Sequence, residues 1–303
     1  MWHIAILHYE GVMKSAAYGM EDLFRIANRL ASKDLFEIHH EYSVHKEIPH
    51  TLPKVLVVPP SSAHPLPDFK CQVTLDYLKN MNQQSVEIAA SCAGVFWLAE
   101  AGLLSGKTAT THWNLCERLK RNYPDIRQVE RRDILVIDGS FTTAAGLFAY
   151  QDMVLQLIAR FEGLELAKQV ADFALLDMTG RLQSFYERFI PNTNHKDALV
   201  HRAQRYCEAH VNASVKSVAQ HCGVSERSLH RKFISILGTS PKHYIVQLKI
   251  ERARNLLCLS QMTVEKVAFE LGYQDVSNFN RAFKKVTQLS PSVFRNRQNS
   301  QLT

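Results

Sequence analysis

The sequence predicts an α/β domain, a mostly parallel sheet flanked by helices, followed by an all-α domain built on a duplicated helical hairpin. Three observations predict it. Apolar strand-like runs alternate with helical patterns as far as about Asp177, the pattern of βαβ units. From Leu199 onward the periodicity is helical throughout, with Gly and Pro confined to points of punctuation. Within that second stretch one apolar spacing pattern occurs twice.

In the first domain, strands are expected at 4–7, 36–44, 55–58, 86–90, 134–137 and 141–143. Helices are expected at 20–31, 75–81, 95–101, 113–123, 150–161 and 164–176. Between Thr179 and Lys196 periodicity fades, and Pro191-Asn192-Thr193-Asn194-His195 is turn chemistry without apolar spacing. The expected organisation is therefore a domain at 1–178, a linker at 179–196 and a second domain at 197–298.

Length and composition agree with two cores. At 303 residues the chain exceeds the usual single domain, and 46% hydrophobic with 21% charged residues excludes disordered and collagenous classes. The start, Met1-Trp2-His3-Ile4-Ala5-Ile6-Leu7, reads as a strand rather than a signal, and no apolar run approaches the roughly 18 residues of a membrane span. Six cysteines without a CxxC pair fit a reducing, cytoplasmic setting. Asn212-Ala213-Ser214 matches a glycosylation sequon that has no use there.

Charge divides unevenly. Residues 1–196 hold 20 Lys and Arg against 22 Asp and Glu, and residues 197–303 hold 16 against 7, so the two parts carry −2 and +9. Clustered basic side chains bind phosphates by displacing condensed counterions, which points to a polyanion partner for the second part rather than a merely solvated basic face.

The duplication can be followed residue by residue. Val215, Val218, Ala219 and Cys222 precede Gly223; Val264, Val267, Ala268 and Leu271 repeat the spacing before Gly272. A polar turn and a second helix follow each Gly, with Leu229-His230-Arg231-Lys232-Phe233 in one copy and Phe279-Asn280-Arg281-Ala282-Phe283 in the other. Each copy ends in Ser-Pro and an aromatic residue, Ser240-Pro241 with Tyr244 and Ser290-Pro291 with Phe294. The apolar stripe packs the first helix on a small core, and the Gly lets the chain swing the second helix across it.

Ser225 is a good N-cap for the second helix of the first copy, leaving Glu226, Arg227, His230 and Arg231 on its early turns. Those turns enter the major groove in helix-turn-helix proteins. The second copy offers Ser277, Asn278 and Arg281 for base edges, with Lys284 and Lys285 near the backbone. A joining helix with Val246, Ile250, Ala253 and Leu257 on one stripe would hold two readers apart, as suits major-groove segments about 34 Å apart. The alternative for Arg231 and Arg281 is a salt bridge or a phosphate contact.

The segments SVAQHCGVSERSLHRKF, GTSPKHYIVQLKIERARNLL and VEKVAFELGYQDVSNFNRAFKK resemble the AraC/XylS family signature, over roughly residues 199–297. The resemblance implies that Arg227, His230, Arg231, Ser277, Asn278 and Arg281 sit where family members contact bases. It also implies double-stranded promoter DNA as partner.

In the first domain, the apolar strand through Ala90 runs into Ser91-Cys92-Ala93-Gly94 before the next helix. Such a strand-to-helix elbow exposes a nucleophile beside free helix N–H groups, whose dipole lowers a thiol pKa and holds an anion. With AEAGLLSGKTATTHW and TTAAGLFAYQDMVLQLIARFEGLELAKQVA, this region resembles the ThiJ/PfpI (class I glutamine amidotransferase-like) domain as found in the GlxA group of AraC regulators.

The resemblance implies a mostly parallel, flavodoxin-like sheet. Catalytic members of the superfamily commonly carry His after the Cys, where this chain has Ala93, and an acid near the end of the first strand, where it has Lys14-Ser15-Ala16-Ala17. A thiolate needs a base, and neither base nor orienting partner is evident beside Cys92; a structural role is expected of His112. The reading is a non-catalytic effector pocket with Cys92, Gly94, His112 and Trp113 as lining candidates. The alternative is a thiol-dependent enzyme or redox sensor.

Tyr18, Trp97 or Trp113 could stack on a cation, against the plainer expectation of core packing. His39, His40, His45 and His50 lack ligand spacing, the first two lying on opposite faces of a strand, so no metal or cofactor is expected. The GlxA group further implies a homodimer, an amino acid or other nitrogenous metabolite as effector, and activation through RNA polymerase as the default.

Overall fold

The computed structural model describes residues 1–42, 51–178 and 182–299, in two compact units, Met1–Gln183 and Ser184–Thr303. His45 and His50 lie outside the described residues.

The first unit runs β1 (Trp2–His8), α1 (Lys14–Ala31), β2 (Phe36–Tyr42), β3 (Val55–Val58), α2 (Gln72–Gln83), β4 (Glu87–Ser91), α3 (Val95–Glu100), β5 (Thr108–Thr110), α4 (Cys116–Asn122), β6 (Gln128–Glu130), β7 (Leu135–Asp138), β8 (Phe141–Ala144), α5 (Tyr150–Glu162) and α6 (Leu164–Phe173). Six strands form one sheet in the order β2-β1-β3-β4-β8-β7. All pairs are parallel except β7 with β8. The sheet is mostly parallel and helix-flanked, as the alternation predicts, and its parallel strands follow a flavodoxin-like order.

Strand residues alternate between two apolar layers because neighbouring side chains leave a strand on opposite faces. Ile4, Ile6, Val55 and Val57 pack with Met20, Phe24, Met153 and Ile158 on one side. Ala5, Leu7, Leu56 and Val58 pack with Leu78, Val95, Leu98 and Leu119 on the other. Helix α1 starts at Lys14, earlier than the expected residue 20, because its first turns bury only Ala16 and Ala17, whose small side chains give a weak periodic signal. The β5–β6 pair was not expected: it is three residues per strand, and Thr110 Oγ1 donates to the Glu130 carbonyl at 2.9 Å to hold it.

After a short helical turn, α7 (Gln183–Tyr186), the second unit is helical: α8 (Ala198–Ala209), α9 (Val215–Cys222), α10 (Glu226–Leu237), α11 (Pro241–Leu259), α12 (Val264–Glu270), α13 (Val276–Thr287) and α14 (Pro291–Asn299). Side chains of Asp197, Ser214, Ser225, Ser240, Thr263 and Asp275 each accept the backbone N–H three residues on, so the helix starts are written in the sequence.

Two cores result. Val218, Ala219, Leu229, Phe233 and Tyr244 form one; Val267, Ala268, Phe279, Phe283 and Phe294 form the other. Helix α11 serves both, with Tyr244 and Ile245 in the first and Ile250, Ala253 and Leu257 in the second. It is therefore buried on more than the single stripe expected. Among the described residues no helix is long and apolar enough to cross a membrane.

Candidate nucleic-acid interface and the Cys92 elbow

On α10, Leu229 and Phe233 point into the core, which turns Arg227, His230 and Arg231 to solvent. With Ser228, Ile234 and Ser235 they line a shallow groove along the outer face. Ser225 caps this helix through Ser228 N–H, as its position predicts.

On α13, Phe279 and Phe283 are buried and Ser277, Asn278, Arg281, Lys284 and Lys285 are exposed. Residues four or seven apart share a helix face, so these five form one polar strip opposite the aromatic pair. Its cap is Asp275, whose carboxylate accepts Asn278 N–H at 2.7 Å and also bonds the Asn278 side-chain amide. Asn278 Oδ1 in turn accepts from Arg281 at 2.6 Å. Asp275 thus orders both candidate reading side chains. Sequence reading passed over it, although Asp before a helix is a cap signal.

Arg231 and Arg281 occupy matching places, two residues before the buried Phe233 and Phe283. Several other arginines of this unit are engaged within it, and one of them is buried. Arg254 is 1% exposed, donates to the Glu187 carbonyl, approaches Glu251 and lies over the Phe294 ring. Arg202 donates to the Cys222 carbonyl at 3.1 Å and Arg295 to the Leu257 carbonyl at 3.2 Å. Lys232 pairs with Asp197 at 2.7 Å. The net positive charge of the unit therefore overstates what an external phosphate meets.

In the first unit, β4 delivers Ser91 into a single 3-10 turn, Cys92–Gly94, at the carboxyl end of the sheet. Cys92 holds φ +53, the left-handed conformation that favours glycine. Gly94 has no alternative here: a Cβ would stand 2.4 Å from the Pro59 carbonyl oxygen.

The elbow is sealed, contrary to the expectation of an exposed, acidified thiol. Cys92 is 4% exposed, and burial pushes its thiol up to about 11, although the N–H groups of Ala93, Gly146 and His112 converge on it and pull the other way. Desolvation outweighs those dipoles because the ionised form loses its water.

His112 meets Cys92 through its backbone; its half-buried ring accepts from Asn114 N–H at 3.2 Å, and burial lowers its pKa. Trp113 lies beside that ring, centroids 5.0 Å apart. Trp97 is buried against Tyr9 and Phe69, so it is a core residue and not a cation platform. Tyr18 is half-exposed and stacks on His40. Lys14-Ser15-Ala16-Ala17 opens α1 and brings no acid.

The histidines on β2 do separate to opposite faces. His40 Nδ1 lies 2.6 Å from His8 Nε2 and its other nitrogen 2.9 Å from Glu21. His39 instead meets Glu37, which also meets His3 from β1, a grouping across strands that spacing along one segment does not reveal.

Comparison with known proteins places these two units. Residues 34–160 match the model of the DJ-1/PfpI family, and residues 218–297 that of a helix-turn-helix domain. The HTH-type transcriptional regulator CdhR of Pseudomonas aeruginosa is 29% identical over 72% of this chain and 65% of its own length. The HTH-type transcriptional regulator GlxA of Rhizobium meliloti is 29% identical over 74% of this chain and 69% of its own length. An isonitrile hydratase of Pseudomonas putida is 32% identical over 37% of this chain and 47% of its own. A crystallised Vibrio parahaemolyticus protein superposes with TM-score 0.51 at 16% identity, over 57% of this chain and 98% of that one, a likeness of fold alone.

Proposed function

We propose that this chain, which matches the DJ-1/PfpI family over residues 34–160 and a helix-turn-helix domain over residues 218–297, is an AraC-type, promoter-binding transcription regulator that reads DNA with α10 and α13 under control of a small effector. One observation carries the reading: two helices present Arg231 and Arg281 at equivalent places, each on a polar strip opposite a pair of buried side chains. Arg227, His230, Ser277 and Asn278 complete the candidate base contacts, with Lys284 and Lys285 placed for phosphate. Asp275, by ordering Asn278 and Arg281, lowers the conformational cost of their docking.

In the first unit the effector reading rests on the place of the elbow, which follows β4 at the carboxyl end of the sheet, where open α/β sheets bind ligands. Gly94 belongs to that turn, the His112 backbone meets Cys92, and Trp113 lies beside the His112 ring. Catalysis is not part of this reading, because the thiol is sealed and raised and Ala93 stands where a base is commonly found. The relatives' role as transcriptional regulators supports DNA as the partner; a cytoplasmic homodimer that engages RNA polymerase when it activates belongs to the same proposal.

Genomic fragments retained by the full-length protein supply the operator, and Arg231→Ala and Arg281→Ala are then tested on it. Each is expected to weaken specific binding by about 1–3 kcal/mol. Equal weakening on random duplex would assign that Arg to phosphate, and no salt-dependent binding to any duplex would end the reading.

A further inference from the structure

A second site lies at the far edge of the same sheet. Strand β1 pairs in parallel with the edge strand β2 so that His3 stands opposite Glu37 and Ala5 opposite His39. This register brings one imidazole from β1 and one imidazole and one carboxylate from β2 to the same face. Glu37, His39, Glu41 and His3 line an open cleft with Thr51 and Pro53.

The contacts within the trio are those of ligands rather than of hydrogen-bonded partners. His3 Nδ1 lies 3.1 Å from one Glu37 oxygen and His39 Nε2 3.3 Å from the other. His3 Nδ1 is a buried nitrogen with no hydrogen-bond partner among the described residues. A buried polar atom left this way costs free energy comparable to a lost hydrogen bond, unless a cation takes up its lone pair.

The spacing fits a small cation. Four ligands at the zinc–nitrogen distance stand about 3.3 Å apart on the edges of a tetrahedron, close to the 3.1 and 3.3 Å by which the two imidazoles approach the two Glu37 oxygens. All three ligand atoms lie within 4.8 Å of one another, and His39 is half-exposed.

We propose that His3, Glu37 and His39 form a binding site for a divalent ion of the zinc, cobalt or nickel class. Two imidazoles with one carboxylate select these borderline ions over magnesium or calcium, which take oxygen ligands. The open cleft leaves the remaining coordination positions to water, and the nearby Glu41 adds negative potential. Because the ligands come from two strands, the ion fastens the edge strand to its neighbour and stabilises the folded first unit by mass action.

Tag-free full-length protein titrated with Co2+ tests this. One equivalent is expected to bind with visible ligand-field absorption and without a thiolate charge-transfer band, to be displaced by Zn2+, and to raise the first unit's melting temperature. His3→Gln/His39→Gln is expected to weaken binding about 100-fold or more and to abolish the melting shift, whereas Cys71→Ser leaves both unchanged. Glu37→Gln, which keeps both imidazoles, provides a second loss of affinity should the double variant fail to fold. Uptake as tight in a folded ligand variant as in the parent places the ion elsewhere and overturns the proposal, as does the absence of stoichiometric uptake by the parent.

Discussion

The two copies of the helical hairpin share a scaffold but prepare their reading faces differently. In the first copy Ser228 bonds Ser225, and the groove beside Arg227 and Arg231 includes the half-exposed, apolar Ile234. In the second, Asp275, Asn278 and Arg281 form a continuous hydrogen-bonded line, and Lys284 and Lys285 stand where the first copy has Ile234 and Ser235. One core design therefore tolerates two surfaces, because only the inward positions are fixed by packing. On the proposed DNA-binding reading, the first face carries an apolar side chain beside its arginines, and the second is pre-ordered and more strongly charged.

The largest expected effect tests whether the cores are as equivalent as they look. Phe233→Ala and Phe283→Ala each remove a fully buried ring, and each is expected to cost about 3–5 kcal/mol in denaturant unfolding of the second unit. A cost confined to one copy would break the equivalence.

The next effect separates the copies at their turns. Gly223 and Gly272 both have positive φ, but a Cβ on Gly223 meets open space while one on Gly272 would stand 1.9 Å from Asn212 Oδ1. Gly223→Ala is expected to cost about 1 kcal/mol and Gly272→Ala at least about twice that. Equal melting temperatures for the two variants would show that Asn212 moves aside freely.

A smaller effect sharpens the difference in pre-ordering. In DNA-binding cycles, Asn278→Ala and Arg281→Ala are expected to couple by about 0.5–1 kcal/mol, whereas Ser228→Ala and Arg231→Ala are expected to be additive. Additivity in both cycles would remove the argument that Asp275 prepares the second reader.

The smallest concerns acid. The Lys232 ammonium and the Val200 N–H hold the Asp197 carboxyl below its usual range. A carboxyl depressed on folding contributes stability that is present at neutral pH and lost as pH falls through the folded-state pKa. The second copy has Ala282 in place of Lys232. Lys232→Met is expected to flatten the acid limb of the stability curve slightly, measured by denaturant unfolding across pH; an unchanged limb would show that solvent screens the pair fully.

What was legible in the sequence follows the same inward–outward divide. Helices with a strong apolar period, the cap at Ser225, the repeated Ser-Pro at 240–241 and 290–291, and the matched Phe233 and Phe283 could be read because local spacing encodes them. The start of α1 was obscured by alanines, and β5 and β6 by their brevity. Nothing local announces that Arg254 is buried, that Cys92 is sealed beneath its own elbow, or that His3 lies opposite Glu37. Each of these depends on tertiary placement, and strand register in particular is fixed by pairing that no single segment contains.

Helix α11 lends one half to each hairpin's core, and that sharing has a consequence for the operator. At 19 residues the helix is about 28 Å long, a spine with no hinge between the halves it joins. The protein should therefore behave as a ruler: inserting about five base pairs between two half-sites turns the second by half a helical repeat, onto the side of the duplex that a stiff gauge cannot reach.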